Sequence, residues 1–258
     1  MKIIGLPALV GTYDNYIWVL YQGTKAWVID PGESQQVIDF LKQHNLELQS
    51  ILVTHHHFDH VDGIPALKQA YPNATVFGGQ KTNNASIQVR LSEGDVVELI
   101  NGFSLNVLET PGHTPDHISY YNEDALFCAD ALFTAGCGRL LGGTVEEFSQ
   151  SLIKLKNLPD HTPFYCAHEY TQDNLNFAIQ VEPNNLDLQQ RLANLTIHYP
   201  SIKTQPLEIL KQEKQTNPFL RFDLPDIKTQ LLKRGANDNV ASLFKTLRAW
   251  KDQYDQQS

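Results

Sequence analysis

The chain has 258 residues, 41% of them hydrophobic and 19% charged, with a formal net charge of −9. A chain of this length buries roughly 75% of its unfolded surface, so it forms one large domain or a domain with an appendage, and this composition excludes a disordered chain. The acidic balance excludes nucleic acid as the partner, because phosphate neutralisation needs clustered Lys and Arg.

Apolar runs at 3–6, 16–21 and 26–29 predict three antiparallel strands, the last two joined by a hairpin turn at Gln22-Gly23-Thr24-Lys25. Asp30-Pro31-Gly32 stops the third strand, and Ser34 begins a helix with Val37, Ile38 and Leu41 on its apolar face. A buried strand at 50–53 then delivers the sequence THHHFDH. A helix carrying Ile64, Leu67 and Ala70 follows, ended by Tyr71-Pro72-Asn73. Short strands are predicted at 75–77, 94–99, 103–109, 117–121 and 125–128, separated by Asn-Gly, Pro-Gly and Asn-Glu-Asp turns. Thr144 with Glu147 three places on marks a capping box for a helix at 144–156, and a further strand covers 164–167. This strand-rich first part, with helices inserted, reads as two sheets packed face to face and covered outside by helices. From Thr171 the spacing is helical, at 174–181, 186–195, 227–232 and 239–250, with no convincing strand and an unassigned polar connection at 200–225. The break near residue 172 divides a domain at 1–172 from a helical domain at 173–258.

His55, His57, Asp59 and His60 fall within six residues, directly after a strand. Alternate residues of such a loop point to one side, and neutral imidazole and carboxylate are ligands for zinc that also suit iron and manganese. Two such groups side by side point to two neighbouring metals, one served by His55 and His57, the other by Asp59 and His60. His56 points away, as a structural or supporting residue. Three more candidates sit where strands end: His113 after 103–109, Asp130 after 125–128, and His168 after 164–167. His117 reads as a supporting partner of the ligands. His44, His161 and His198 lack this context and receive no role.

Three cysteines, Cys128, Cys137 and Cys166, give no CxxC spacing and no complete disulfide framework, which fits a reducing cytoplasm. No stretch approaches the 18 apolar residues of a membrane span, and MKIIGLPALVG reads as a first strand and not as a signal peptide.

THHHFDH at 54–60, PGHT at 111–114, CADALF at 128–133 and AHEYT at 167–171 together resemble the metallo-β-lactamase superfamily. GCGR at 136–139, HEYT at 168–171, NPFLR at 217–221 and RAWKDQY at 248–254 resemble, within it, the glyoxalase II family of hydroxyacylglutathione hydrolases. The resemblance covers essentially the whole chain. It implies an α+β fold, the αββα metallo-β-lactamase sandwich, with a small C-terminal α-helical substrate-binding domain. It implies two divalent metal ions per chain, zinc first, with iron or manganese as alternatives. His55, His57 and His113 would hold one, Asp59, His60 and His168 the other, and Asp130 would bridge them. Asp59 and Asp130 would also orient the attacking hydroxide. Arg139, Tyr170, Arg248 and Lys251 would bind glutathione, the local cationic patch that an anionic substrate needs on an acidic chain. The implied reaction is hydrolysis of S-D-lactoylglutathione to glutathione and D-lactate, the second step of methylglyoxal detoxification. Composition sets the expectation of a cytoplasmic protein without nucleic acid or membrane partners, with a monomer as the default. The chain departs from the family pattern at Leu141, where a tyrosine hydroxyl usually contacts glutathione, and at Pro115-Asp116 in place of Ser-Gly. Two rival readings are a glutathione persulfide dioxygenase, which uses one iron, and a catalytically silent glutathione-binding protein. The complete second ligand set with Arg248 and Lys251 argues against the first, and the seven intact ligands against the second.

Overall fold

The computed structural model describes residues 1–195, 201–204 and 208–257. Strands β1 (Lys2–Ala8), β2 (Asn15–Gln22), β3 (Lys25–Ile29), β4 (Glu47–Val53), β5 (Thr75–Gly79) and β6 (Val89–Leu91) form one sheet in sequence order. The first three are antiparallel, as expected, and β3 to β6 run parallel. The second sheet has the order β12-β11-β10-β9-β8-β7, built from β7 (Val96–Ile100), β8 (Phe103–Glu109), β9 (Ile118–Tyr121), β10 (Leu126–Ala129), β11 (Pro163–Cys166) and β12 (Glu208–Ile209).

The pleat sorts side chains between layers. On β2, Tyr16, Trp18 and Leu20 enter the core between the sheets with Trp27, Leu52, Val107, Tyr120 and Phe127. Their neighbours Ile17 and Val19 face outward with Ile51 and Val53, under α1 (Gln35–Gln43) and α3 (Ile64–Ala70), whose Val37, Leu41, Ile64 and Leu67 complete that layer. These strands are buried on both faces, so they read as continuous apolar runs. On the second sheet Leu126 and Cys128 face outward against Phe148, Leu152 and Leu155 of α4 (Val145–Lys156). Thr144 caps α4 by the expected reciprocal pair with Glu147. Ser34 stands at the N-cap of α1, but its side chain makes no capping bond. The architecture is the expected αββα sandwich.

Helices α5 (Thr171–Val181), α6 (Leu186–Ala193), α7 (Leu210–Thr216), α8 (Pro218–Arg221), α9 (Pro225–Lys233) and α10 (Val240–Asp255) follow. Phe177, Phe219, Phe222, Ile227, Leu243, Phe244 and Leu247 from this segment pack into the same apolar cluster as Leu126 and Phe148, so the helices cover the outer face of the second sheet beside α4.

Two sequence expectations need correction. A strand does occur after Thr171: β12 pairs antiparallel with β11 through Phe164 and Glu208. Strand β6 was also not anticipated. Stretches of two or three residues show no readable alternation, and they become strands only because a sheet edge offers them unpaired backbone groups. The described part of the unassigned stretch 200–225 contains β12, α7 and α8; residues 196–200, among them His198, lie outside the described residues, as do 205–207.

Candidate metal centre

The seven candidate ligands meet at one lip of the sandwich, each delivered from the end of a strand or the turn just after it. The loop differs locally from the expected alternation. His55 and His57 follow β4 in extended backbone, but Phe58–Val61 forms a helical turn, α2, with His57 at its N-cap. Asp59 and His60 therefore diverge by about 100° around a helix axis and face a second cluster. Gly32 permits this turn to sit close: a Cβ there would fall 1.9 Å from the Asp59 carbonyl oxygen. Ala129 ends β10 in left-handed backbone, φ 39°, immediately before Asp130.

His55 Nε2 and His113 Nε2 lie 3.1 and 3.0 Å from His57 Nδ1. His113 Nε2 is 3.2 Å from Asp130 Oδ2. On the other side, Asp130 Oδ1 lies 3.2 Å from His168 Nε2 and 3.5 Å from His60 Nε2. Asp59 Oδ2 lies 3.5 Å from His60 Nε2 and 3.7 Å from His168 Nε2. The ligand atoms of His55, His57, His113 and Asp130 fall within 4.8 Å of one another, as do those of Asp59, His60 and His168. Asp130 turns one oxygen toward each cluster.

Hydrogen bonds at the far side of each ring fix the tautomers. The His113 Nδ1–H donates to the Arg139 carbonyl at 2.8 Å, and the His168 Nδ1–H to the Tyr13 carbonyl at 2.7 Å. Asp30 accepts from the Thr54 N–H at 2.8 Å, the Thr54 hydroxyl at 2.6 Å and the His60 Nδ1–H at 3.0 Å. The Thr54 hydroxyl, its proton committed to Asp30, accepts from the His55 Nδ1–H at 3.0 Å. His55, His113 and His168 thus have their proton placed outside and a bare Nε2 inside, and His60 turns its Nε2 inward in the same way. His60 Nε2 and Asp130 Oδ1 are buried with no hydrogen-bond partner. Buried lone pairs that converge at about 3 Å are costly unless a cation sits among them, and ligands 2.0–2.1 Å from a tetrahedral centre stand about 3.3 Å apart. The residues fit divalent metal.

Electrostatics agree with this donor set. Burial, with neighbouring imidazoles adding to it, holds His55 well below the usual histidine range and depresses His57 and His113, so these rings are neutral and ready to ligate. Burial would also depress His60, but the carboxylates of Asp130, Asp30 and Asp59 outweigh it and push it up to about 9. Burial would raise Asp130, yet His168, His60 and His113 around it keep its carboxyl well below the ordinary carboxylate range.

Asp30 and Asn15 are supporting residues that the sequence reading missed. Asn15 Nδ2 donates to the Asp59 carbonyl at 3.1 Å and to Asp59 Oδ2 at 3.3 Å. Asp30 stands at the end of a strand, as His113, Asp130 and His168 do, and that shared place was a usable signal; within Asp-Pro-Gly it reads only as a turn. Asn15 carries no local signal. His56 points away from the ligands as expected, and its Nδ1 pairs with Asp116 at 2.7 Å. The His117 ring stacks on His55 with centroids 5.0 Å apart, and its Nδ1 lies 2.9 Å from the Thr110 hydroxyl.

The residues expected to bind glutathione divide into two kinds. Arg139 is exposed beside His113, and Tyr170 stacks on His168 with centroids 4.9 Å apart while its hydroxyl donates to the Tyr13 carbonyl at 3.2 Å. Arg248 and Lys251 are buried. Arg248 donates to the Cys137 carbonyl at 3.1 Å and to Asp252 at 2.9 and 3.0 Å, and Lys251 pairs with Asp255. Leu141 is 52% exposed, and its N–H donates to the His113 carbonyl.

Comparison with known proteins follows the two parts of the chain. Residues 10–168 match the family model described as the metallo-beta-lactamase superfamily. Solved structures share the fold: ETHE1 from Myxococcus xanthus has a TM-score of 0.65 at 23% identity, covering 96% of this chain and 99% of its own. The B3 metallo-beta-lactamase BLEG-1 has a TM-score of 0.62 at 24% identity, covering 84% of this chain and 98% of its own. Fold and site together define a metal-dependent hydrolase of the metallo-β-lactamase type. Residues 169–254 match a second family model, hydroxyacylglutathione hydrolase C-terminus. The chain is 44% identical to the hydroxyacylglutathione hydrolase of Hydrogenovibrio crunogenus over 99% of its own length and 96% of the relative's, and 42% identical to that of Vibrio parahaemolyticus over 98% and 100%. The chain belongs to the hydroxyacylglutathione hydrolase family of the metallo-β-lactamase superfamily.

Proposed function

We infer that the protein hydrolyses S-(2-hydroxyacyl)glutathione thioesters, S-D-lactoylglutathione as the type, to glutathione and a 2-hydroxy acid. The observation that carries this reading is the double cluster of converging imidazole and carboxylate atoms beside a C-terminal segment of the hydrolase family. The proposed occupancy is two divalent ions, zinc first, with iron and manganese accepted by the same ligands. His55, His57 and His113 would hold one, Asp59, His60 and His168 the other, with Asp130 shared.

When bound, such ions supply Lewis acidity, which makes hydroxide available from water near neutral pH and draws charge from the thioester carbonyl. The chain supplies position. Asp130, with an oxygen toward each cluster, and Asp59, steadied by Asn15, orient the attacking water and accept its hydrogen bonds. The leaving thiol, with an ordinary pKa of about 8.5, departs as thiolate without a general acid. That suits a site whose ring protons are already committed to Arg139, Tyr13, Thr54 and Asp30. For the glutathione moiety the exposed Arg139 is the proposed carboxylate contact, with Tyr170 and the buried cations Arg248, held to the Cys137 carbonyl, and Lys251 as the further proposed contacts. The enzyme is proposed to act as a cytoplasmic monomer. Its three thiols are free and buried, no helix among the described residues is long and apolar enough to cross a membrane, and a net charge of −9 opposes self-association.

The test is thioester hydrolysis of S-D-lactoylglutathione, with metal content measured on the same sample and His57→Ala as control. Turnover with close to two metals per chain, lost in the variant, is the expected result. No turnover at full metal occupancy would remove the reading.

A further inference from the structure

Between Asp130 and Arg139 the chain makes a tight turn that the helical segment grips. Phe133 and Gly136 exchange both backbone hydrogen bonds, at 3.0 and 3.1 Å, with Ala135 in left-handed backbone, φ 56°. The turn is buried, so its polar groups need partners, and these come from two helices and the junction between α7 and α8. From the α7–α8 junction, the Asn217 amide donates to the carbonyls of Phe133 at 3.1 Å and Gly136 at 3.0 Å. From α7, Glu213 accepts the Ala135 N–H at 2.8 Å while Arg191 neutralises its other oxygen. From α5, the Asn174 amide donates to the Thr134 carbonyl at 3.1 Å.

The far end of the same loop touches the ligands. The Gly138 N–H donates to the Asp130 carbonyl at 3.1 Å, and the Arg139 carbonyl accepts the His113 Nδ1–H. Contact is too close for any side chain: a Cβ on Gly138 would fall 2.2 Å from the Asp130 carbonyl oxygen and 3.0 Å from His113 Nδ1. A shift of the turn would therefore move both ligands.

We propose that Asn217, supported by Glu213 and Asn174, is a positioning residue of the metal centre: the helical segment grips residues 133–139 and through them sets the orientation of His113 and Asp130. The inference rests on the metal-hydrolase reading of the site. It gives the C-terminal helices a part in building the centre that is separate from any contact with glutathione.

Asn217 also caps α8, its Oδ1 accepting the Phe219 N–H at 2.9 Å, and the test separates the two roles. Asn217→Ser keeps an N-cap acceptor of equal rank but is too short to hold two carbonyls across the turn. Asn174→Ala removes the second amide from a different helix, so one variant decides if the other fails to fold. Zinc affinity by chelator competition and the visible absorption of cobalt-loaded protein are compared with wild type. The expected result is a loss of roughly 10- to 100-fold in zinc affinity for Asn217→Ser, a smaller loss for Asn174→Ala, and an altered cobalt spectrum in each. A residue that only steadied the fold would lower the melting temperature and leave affinity and spectrum of the folded protein unchanged. Wild-type affinity and spectrum in both variants would overturn the proposal. Neither readout uses thioester turnover, so a wild-type protein inactive on the substrate would remove the hydrolase reading and leave this test intact.

Discussion

Asn in place of Asp30 tests how far the supporting residues control metal binding. Three donors converge on the Asp30 carboxylate: the Thr54 N–H, the Thr54 hydroxyl and the His60 Nδ1–H, at 2.8, 2.6 and 3.0 Å. A carboxylate accepts all three. An amide has one oxygen, and its NH2 must face either the Thr54 N–H or the other two donors. At least one charge-assisted hydrogen bond is lost, about 1.5–3 kcal/mol, which is about 10- to 100-fold in an equilibrium constant. The expected loss of metal affinity is in that range, the one typical for partners of metal-bound histidine. A pH dependence accompanies it. In the metal-free protein His60 is held up to about 9, mainly by Asp130 and Asp30 acting against its burial, so at neutral pH it carries a proton that metal must displace. Apparent affinity of the wild type should rise by up to about tenfold per pH unit and level off above about 9. Because the folded pKa exceeds the unfolded value of 6.5, this group stabilises the metal-free fold fully below that value, and the contribution disappears as pH rises through about 9. In Asp30→Asn, with one carboxylate fewer, the levelling moves to lower pH. Chelator competition from pH 6.5 to 9.5 on both proteins makes the measurement. Identical affinity and an identical profile would refute the reasoning.

Arg139→Ala, at an exposed position, should raise KM for the thioester about tenfold with kcat within about twofold and the melting temperature unchanged, read by steady-state kinetics and thermal unfolding; an unchanged KM removes Arg139 from the substrate site. Gly138→Ala forces a methyl to 2.2 Å from the Asp130 carbonyl oxygen, and should lower stability by about 1–3 kcal/mol in urea together with metal content by elemental analysis. Phe244→Ala empties a fully buried site packed on Phe148, with ring centroids 5.2 Å apart, and should cost about 3–5 kcal/mol in the same assay. Coincident loss of signals from the sandwich and the helices in that variant would show that their shared cluster unfolds as one unit.

Much of the fold and most of the candidate metal site were legible because their information is local. Four candidate ligands lie within six residues of one loop, and the remaining three recur just past strand ends, which short apolar runs and turn residues mark in the sequence. Capping at Thr144 and the hairpin at Gly23-Thr24 are local in the same sense. Tertiary structure alone decided which nitrogen of each ring carries the proton, since the partners that fix it, Asp30 for His60, Arg139 for His113 and Tyr13 for His168, lie 30, 26 and 155 positions away. It also decided that two residues at 208–209 form a strand, because only a neighbouring edge supplies their hydrogen bonds. The engagement of Arg248 with the loop at Cys137 belongs with these: a cation on a helix reads from sequence as a solvated face, and only packing against a loop 111 positions away buries it. Periodicity reports which face of an element is apolar; what that face meets is set by long-range packing, which no local window contains.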